Sequence, residues 1–588
     1  MPKAAIQLLA LLLFSIPLVY KSVYVGDAIS EVTGAAYTLK GAQQVLNHDA
    51  LIYLGLLLAL YISCLLRIPL FLAALLRIAA LLTYLAYLLD IYIFQQFFTR
   101  LIYGDVWKYF DYAPKYVYQT HGWVVLGLLL AAMAVFFWAM APLLFRRLPL
   151  PDGKQHAVAG MSAVAFLGLS AFAEDGRYMH AWMYANLFEY NQTIRSQDAP
   201  YSDGFIQALR HDDGESCQPC TRHRPNIILL MVESLSDYQS KLFSGLRDWT
   251  PHIDAIAGEN LYFTHFHANG FNTEDGEIAL LTGLYPVHAP GFHSDGGSVS
   301  FVGYMHLADT LPRLLQAKGY ATEFITSADL EFADTGTWAR RLGFGYVEGH
   351  DDPGYDGWPR YHFQAAPDEA LYRRVQARMA AQSPQGNYFL FVKTTSTHHP
   401  YFDPETGLAS EEKAFEYADK QLGRFYEQLE QSGFFENGLL IIVGDHHAMV
   451  PLRREELEKY GPQRAAAMIP MVVATGGRVV GREDRPFQQV DIYNGIRNEV
   501  GEQRCLSEWR GDVLGESRVP PKFIVHKRGD NRDLISVFSG ERAWLVKLDG
   551  DDTHALGDKG GDDSERGWVT DKINYERILR LRDSQAAQ

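Results

Sequence analysis

The chain has 588 residues and a formal net charge of -16, and its hydrophobic residues, 48% of the total, crowd into the first third. This length is too great for one ordinary domain, so at least one membrane region and one soluble region are expected. The acidic balance, without a dense stripe of Lys and Arg, argues against a nucleic-acid-binding surface.

The first third contains five apolar segments close to the length that a bilayer core requires. They are residues 4–20, 49–66, 70–94, 122–145 and 156–174. No small-residue cleavage site follows the first segment, so we expect an uncleaved anchor. Basic residues are denser in the short loops on one side, which predicts a cytoplasmic N-terminus and an exported C-terminal region. The sequence thus predicts a five-helix transmembrane domain over residues 1–175.

A polar stretch over residues 176–224 is predicted to be a linker. Cys217 and Cys220 stand in it as a CQPC motif. In an exported domain this pair could close a small disulfide, whereas in the cytosol it would indicate redox or metal chemistry. Cys505 is expected to be a single buried thiol.

From residue 225 to about 510, strand-like runs alternate with helix-like ones, which is typical of a doubly wound α/β domain. These strand-like and helix-like runs are residues 227–232, 279–284, 322–325, 388–392, 411–431, 439–443 and 471–474. After residue 511, apolar and polar residues alternate around turn-forming sequences. We therefore expect residues 511–588 to form a small antiparallel β appendix and a tail.

Metal-ligand side chains follow two of these strands. Glu233 closes one apolar run, and Asp445 and His446 close another. Groups at the carboxyl ends of neighbouring strands converge on one crevice of an open α/β sheet. Thr273 stands between them in sequence, at the start of a predicted helix, where a hydroxyl meets the positive end of the helix dipole. Together these residues would suit Mg²⁺ or Mn²⁺, with Zn²⁺ possible because of the imidazole.

Each of these residues also has an ordinary structural interpretation. A Thr before two acidic residues is typical of a helix cap, and a Glu at a strand end often caps the following helix. Only the conjunction of the three segments indicates a site.

The motifs MVESLSD around Glu233, a Thr before a helix, STHHPY and GDHH together resemble one known group of enzymes. This group is the lipoteichoic acid synthase and phosphoglycerol transferase branch of the alkaline phosphatase and sulfatase superfamily. Five membrane spans before an exported domain are also similar to that branch. The resemblance implies that Glu233, Thr273, Asp445 and His446 ligate one divalent ion and that Thr273 is the nucleophile.

The same resemblance implies a substrate pocket containing Trp338, Arg340 and His398. An Arg can bind phosphate oxygens bidentately, and a His can hydrogen-bond the phosphoryl group or protonate a leaving oxygen. The alternatives are a packing Trp, a solvated Arg and a capping His.

Two features depart from related patterns. No C/S-x-P-x-R signature of classical sulfatases occupies the nucleophile segment, which disfavours sulfate ester hydrolysis. The segment FNTEDGEIALLTG also has a more acidic first turn than expected of lipoteichoic acid enzymes, so the donor headgroup and the acceptor stay open.

The resemblance implies an enzyme of the cytoplasmic membrane with an extracytoplasmic catalytic domain. It also implies one bound divalent ion, with Mn²⁺ as the first choice and Mg²⁺ or Zn²⁺ as alternatives. The enzyme would move phosphoglycerol from phosphatidylglycerol, its lipid donor, to a hydroxyl on a lipid or glycan acceptor through a phosphothreonine intermediate. The alternatives are a phosphoethanolamine transferase, a sulfatase-like phosphodiesterase or hydrolase, and a degenerate binding module.

Overall fold

The computed structural model describes residues 15–26, 38–64, 68–97, 100–103, 106, 123–124, 127–128, 130–131, 153–173, 181–193, 198–220, 223–289, 301–383, 386–450, 452–515, 518–529, 531–556 and 563–586. The chain divides into two compact units. One comprises residues 1–195 and 450–454, and the other comprises residues 196–449 and 455–588. Each is described separately.

The first unit is helical wherever a regular element is assigned. Residues 15–26 are helical, and five further helices follow: α1 (Thr38–Cys64), α2 (Leu70–Phe97), α3 (Gly153–Ser170), α4 (Ala181–Tyr184) and α5 (Leu187–Thr193). Tyr53 of α1 packs edge-on against Tyr87 of α2, with ring centroids 5.7 Å apart. Arg77, the charge inside a predicted span, is buried and donates from Nε to the hydroxyl of Ser63 over 2.9 Å.

Two described helices, Leu39–Cys64 and Leu70–Gln95, are long and apolar enough to cross a bilayer. The second coincides with the predicted span 70–94, whereas the first overlaps the predicted span 49–66 and begins earlier, at Leu39. Helix α3 overlaps the predicted span 156–174, but it is not one of the two that pass this test. Most of the spans 4–20 and 122–145 lies outside the described residues. The five-helix domain therefore stays a prediction.

The second unit is built on an eight-stranded sheet. Its strands are β2 (Asn226–Val232), β3 (Leu261–Phe263), β5 (Tyr320–Thr326), β6 (Tyr346–Glu348), β7 (Asn387–Lys393), β8 (Gly438–Gly444), β9 (Met471–Ala474) and β10 (Gly481–Glu483). Their order is β10-β3-β9-β8-β2-β7-β5-β6. Strands β8, β2, β7, β5 and the edge strand β6 are parallel, whereas β9 is antiparallel to both β8 and β3. The predicted α/β domain is confirmed, with antiparallel pairing added at one side.

Helices cover both faces of this sheet, which explains why its central strands are continuously apolar. The helices are α7 (Pro251–Glu259), α8 (Thr273–Thr282), α9 (Leu311–Ala317), α10 (Thr335–Leu342), α11 (Asp368–Ala380), α12 (Glu411–Gln431) and α14 (Val490–Val500). Alternate residues of β2 belong to two different apolar cores. Leu229 belongs to the core that includes residues of α8, α9, α10 and α14, and Leu230 belongs to the core that includes residues of α7, α11 and α12.

Shorter elements complete the second unit. Helix α6 (Asp203–Ala208) precedes β1 (Ser216–Pro219), and α13 (Arg454–Arg464) follows β8. The small strands β4 (Phe266–His267) and β11 (Phe487–Gln488) pair in parallel. The 3₁₀ turns are Asp237–Gln239, Phe332–Asp334, Pro353–Tyr355, His362–Gln364, Phe434–Glu436 and Ala465–Ala467.

The C-terminal region contains the expected antiparallel sheet. It has four strands, β13 (Ile524–Lys527), β14 (Leu534–Ser539), β15 (Arg542–Lys547) and β16 (His554–Leu556), in sequence order. A long helix, α15 (Asp563–Ala586), follows where the sequence indicated only a tail. Val569 and Ile573 of this helix are buried against the sheet, so sheet and helix share one apolar core.

The cysteine pairing differs from the expectation. Cys217 is bonded to Cys505, 288 positions away, and Cys220 is a free thiol. The reason is that β1 pairs antiparallel with β12 (Gln503–Leu506), which sets Cys217 opposite Cys505. Such a register depends on the folded domain and cannot be inferred from the CQPC spacing.

Candidate active site

The backbone of the sheet brings the two predicted ligand segments together. Strands β2 and β8 are neighbours, and their register pairs Val232 with Gly444. Glu233 and Asp445 each follow these paired residues, so both side chains start from the same edge of the sheet. This parallel alignment explains why Glu233 and Asp445, the predicted ligands, lie together at the carboxyl ends of adjacent strands.

Three of the predicted ligands form one buried cluster. The ligand atoms of Glu233, Asp445 and His446 all lie within 4.8 Å of one another, and all three residues are buried. His446 Nε2 is 3.3 Å from Asp445 Oδ2 and 3.7 Å from Glu233 Oε1. Asp445 Oδ2 has no hydrogen-bond partner although it is buried, which is costly for a carboxylate oxygen.

Thr273 joins this cluster from the first position of α8. Its Oγ1 lies 3.3 Å from Glu233 Oε2 and 3.3 Å from His446 Nε2. The cap of the helix is Asn272, whose side chain accepts a hydrogen bond from the backbone N-H of Asp275. Because Asn272 supplies the cap, the Thr273 hydroxyl is not used for that purpose.

Close packing fixes α8 against the ligand segment. A Cβ added at Gly276 would lie 2.7 Å from the backbone oxygen of Asp445, so only glycine permits this approach. Glu277 of the same helix receives a hydrogen bond from Lys393 Nζ over 2.7 Å, and Lys393 is the last residue of β7. The helix is therefore held to the sheet directly below the cluster.

The peptide groups around the ligands are also fixed. Ser234 has a positive φ of 56°, an uncommon conformation that turns its N-H toward Asp445 Oδ1 at 2.7 Å. Thr394 accepts from the N-H of Glu233, and Thr397 donates to its carbonyl oxygen. These supporting residues were not identified from the sequence, although a polar run directly after a buried strand was visible there.

Hydrogen bonding orients the imidazole of His446. Its Nδ1 donates to the backbone oxygen of His447 over 2.7 Å, which leaves Nε2 facing Thr273 and the carboxylates. The next imidazole, that of His447, has Nε2 2.6 Å from Glu456 Oε1. His447 therefore supports the segment and points away from the cluster.

The electrostatics of the cluster favour the addition of positive charge. Burial and the nearby Asp445 carboxylate raise the pKa of Glu233 to about 8. Burial alone would lower the pKa of His446, but Asp445 and Glu233 outweigh it and raise this pKa to about 9. Two carboxylates, an imidazole nitrogen and a hydroxyl, with one buried oxygen unpartnered, fit the donor set of a hard divalent cation.

The expected pocket residues lie in different surroundings. Trp338 is fully buried, stacks on Phe301 with ring centroids 3.9 Å apart, and donates from Nε1 to the carbonyl oxygen of Tyr304. A ring enclosed in this way packs in the core, and its expected contact with a substrate stays a prediction. Arg340 is exposed in the last turn of α10, as a phosphate-binding side chain would need to be.

His398 lies in the loop that follows β7. Its ring packs edge-on against Phe363 at 4.8 Å, and Nδ1 contacts the backbone oxygen of His399. Burial, with the neighbouring His362 and His399, lowers the pKa of His398 well below its ordinary value, and the charge on His446 contributes in the same direction. The imidazole is therefore neutral near pH 7, and it can take part in hydrogen bonds without carrying a charge.

Comparison with known proteins identifies the same region. Residues 225–497 match the family model described as Sulfatase. The N-acetylgalactosamine-6-O-sulfatase of Bacteroides thetaiotaomicron is 20% identical over 446 residues, which cover 59% of this chain and 86% of that protein. Phosphoglycerol transferase I of Salmonella arizonae is 26% identical over 250 residues, 38% of this chain. That alignment spans only 31% of the transferase's own length.

Among solved structures, the lipoteichoic acid synthase LtaP from Listeria monocytogenes superposes with a TM-score of 0.49 at 19% identity. The superposition covers 64% of this chain and 96% of that structure.

Proposed function

We propose that this protein is a membrane-anchored, metal-dependent phosphotransferase, and the match of residues 225–497 to the Sulfatase family model supports this proposal. It moves a phosphoglycerol headgroup from phosphatidylglycerol to a hydroxyl group on an acceptor. The observation that carries the proposal is the Thr273 hydroxyl 3.3 Å from both Glu233 and His446. Similarity to phosphoglycerol transferases supports the choice of headgroup.

We propose that one divalent cation, Mn²⁺ first and Mg²⁺ or Zn²⁺ as alternatives, is held by Glu233, Thr273, Asp445 and His446. When bound, such an ion lowers the pKa of a coordinated hydroxyl and offsets charge on phosphoryl oxygens. The unpartnered Oδ2 of Asp445 supports this assignment.

In the first step, Thr273 Oγ1 attacks phosphorus, the new oxygen–phosphorus bond forms, and the bond to the diacylglycerol oxygen breaks. The Glu233 carboxylate, whose Oε2 is 3.3 Å away, would take the hydroxyl proton, and the diacylglycerol oxygen leaves with a proton, so that no net proton is gained or lost. The N-terminus of α8 favours the negative charge that the phosphoryl oxygens carry. Arg340, exposed to solvent, is our proposed contact for those oxygens.

In the second step, the acceptor hydroxyl attacks the phosphothreonine, the bond to Thr273 Oγ1 breaks, and the acceptor's proton passes to Thr273. His398 is our proposed hydrogen-bond partner of the phosphoryl group, because its lowered pKa keeps the imidazole neutral.

The identity of the nucleophile disfavours sulfate ester hydrolysis. Classical sulfatases carry a Cys or Ser, converted to formylglycine, in a C/S-x-P-x-R signature, and no such signature surrounds Thr273. The apolar helices support an anchor in the cytoplasmic membrane. The Cys217–Cys505 disulfide supports an extracytoplasmic catalytic domain, since such bonds persist in oxidising compartments.

The proposal is tested with purified full-length protein, Mn²⁺ and headgroup-labelled phosphatidylglycerol, with labelled phosphatidylethanolamine in a parallel reaction. The wild type should release diacylglycerol and retain label covalently on the peptide that contains Thr273. Thr273→Ala should do neither, whereas Thr264→Ala, a half-buried Thr in the same segment, should match the wild type. Release by Thr273→Ala at the wild-type rate would refute the mechanism. Labelling only from phosphatidylethanolamine would refute the headgroup.

A further inference from the structure

The first strand of the C-terminal sheet runs beside the segment that leads into Thr273. The backbone N-H of Lys527 donates to the carbonyl oxygen of Asn269 over 2.9 Å. Asn269 Nδ2 donates to the carbonyl oxygen of Val525 over 2.7 Å, and His526 Nδ1 lies 2.9 Å from the backbone oxygen of Ala268. The sheet therefore contacts the nucleophile segment at three successive positions of β13.

The side chain of Lys527 extends this contact into the first turn of α8. Its Nζ lies 3.0 Å from Asp275 Oδ1 and 3.3 Å from Asp275 Oδ2. Asp275 follows Thr273 by two positions, and its Oδ2 also accepts the backbone N-H of Phe271 over 3.2 Å. The ammonium group lies 5.1 Å from the centre of the Phe271 ring. One carboxylate thus connects Lys527 to residues on both sides of the nucleophile.

This ion pair is completely enclosed. The side chains of Lys527 and Asp275 are 1% and 0% exposed. A buried pair of this kind gains little net stability over apolar residues, but removing one partner leaves the other charge uncompensated. Its geometric effect is more informative, because the ion pair connects the backbone around Phe271 and Asp275 to β13 of the C-terminal sheet.

We infer that Lys527 is a positioning residue for the nucleophile. Through Asp275 it fixes the first turn of α8, and thereby the distance of Thr273 Oγ1 from Glu233 and His446. The C-terminal sheet is then a working part of the catalytic domain, in contrast to the appendix expected from the sequence. The kinetic part of this inference rests on the proposed role of Thr273, whereas the geometric part does not.

The first test compares Lys527→Met with Lys522→Met in the full-length protein. Lys522 is the matched control, since it lies in the same C-terminal region but its side chain is 47% exposed. Amide hydrogen exchange is measured across residues 268–280 in both variants, without substrate. We expect exchange in this segment to become faster by about tenfold or more in Lys527→Met and to be unchanged in Lys522→Met, because the segment opens locally once its tie is lost.

The second measurement is the split between kcat and KM for headgroup transfer. A displaced nucleophile lowers kcat by about tenfold to a hundredfold and leaves KM within about twofold, since donor binding does not involve Lys527. A purely structural loss would lower the amount of folded enzyme and leave kcat per folded molecule unchanged.

A further variant guards against misfolding. Lys527→Met combined with Asp275→Asn removes both charges, so no unpaired buried charge is left. This double variant should stay folded and still show faster exchange over residues 268–280. Wild-type exchange and wild-type kcat in the folded double variant would overturn the inference. If exchange changes as expected but wild-type protein transfers no headgroup, then the proposed function fails and the positioning role stands.

Discussion

Thr273 Oγ1 and His446 Nε2 lie 3.3 Å apart, although 173 positions separate the two residues in the chain. A helix start and a strand end are brought together by the packing of α8 on the sheet. The hydroxyl of Thr273 therefore lies beside the imidazole of His446 and the carboxylate of Glu233.

Asp445 is predicted to be required for metal binding. Wild-type protein should gain about 2.7 kcal/mol of stability at a Mn²⁺ concentration one hundred times the Kd, because the ion binds only the folded state. Asp445→Asn should lose most of this gain, since it removes the negative charge of the carboxylate whose buried Oδ2 makes no hydrogen bond. Asp484→Asn, at an exposed carboxylate, is the control. Thermal unfolding with and without Mn²⁺ measures both, and an equal gain in Asp445→Asn would exclude this ligand.

The stability of the chelated protein is predicted to fall as the pH rises from about 6.5 to about 9. Glu233 has a folded-state pKa of about 8, above its ordinary value of 4.5, so the folded state binds more protons than the unfolded state until the pH passes through about 8. His446 has a folded-state pKa of about 9, above 6.5, and its contribution is lost as the pH passes through 9. Thermal unfolding in chelator from pH 6.5 to 9 tests this.

Saturating Mn²⁺ should reverse or flatten this pH dependence, because metal ligands bind in their deprotonated forms. Glu233→Gln should also flatten it in chelator. An identical slope with and without Mn²⁺ would contradict the assignment of the cluster as the metal site.

The Cys217–Cys505 bond is predicted to stabilise the catalytic domain. Cys217→Ser should lower the free energy of unfolding by about 2–4 kcal/mol, since the bond closes a long loop in the unfolded chain. Cys220→Ser provides the comparison, because this thiol is free and should change stability by less than about 0.5 kcal/mol. Denaturant unfolding under non-reducing conditions measures the difference. Equal stability of the two variants would argue against the observed pairing.

Trp338 is predicted to act through packing. Trp338→Ala should lower the free energy of unfolding by about 3–5 kcal/mol, because a large buried ring stacked on Phe301 is removed. Trp338→Phe should retain part of that packing and leave KM for the lipid donor unchanged. A raised KM in a stable Trp338→Phe variant would restore the substrate-contact interpretation.

The central strands and the ligand cluster were accessible from local sequence patterns. The apolar run 227–232 corresponds to β2, and the run 439–443 lies within β8 (Gly438–Gly444), each ending beside a ligand. Parallel strands in a covered sheet are uniformly apolar, so the first polar residue indicates where each strand ends. Glu233 and Asp445 are these first polar residues.

The remaining features depend on contacts that no local pattern records. The pairing of Cys217 with Cys505 requires β1 to meet β12, and the approach of Lys527 to Asp275 joins residues 252 positions apart. Helix α15 was missed because its apolar residues, such as Val569 and Ile573, are sparse among charged ones. The burial of Trp338 is a tertiary property of the same kind.

The disulfide between β1 and β12 has a mechanical consequence. The second unit begins at Ser196 and β2 starts only at Asn226, so the covalent bond at Cys217 precedes the first strand of the large sheet. A pulling force that reaches Cys217 from the preceding residues is carried by the covalent link to Cys505 and by the backbone pairs between β1 and β12. Strand β2 and Glu233 at its end therefore bear less of that force than they would if the chain alone transmitted it.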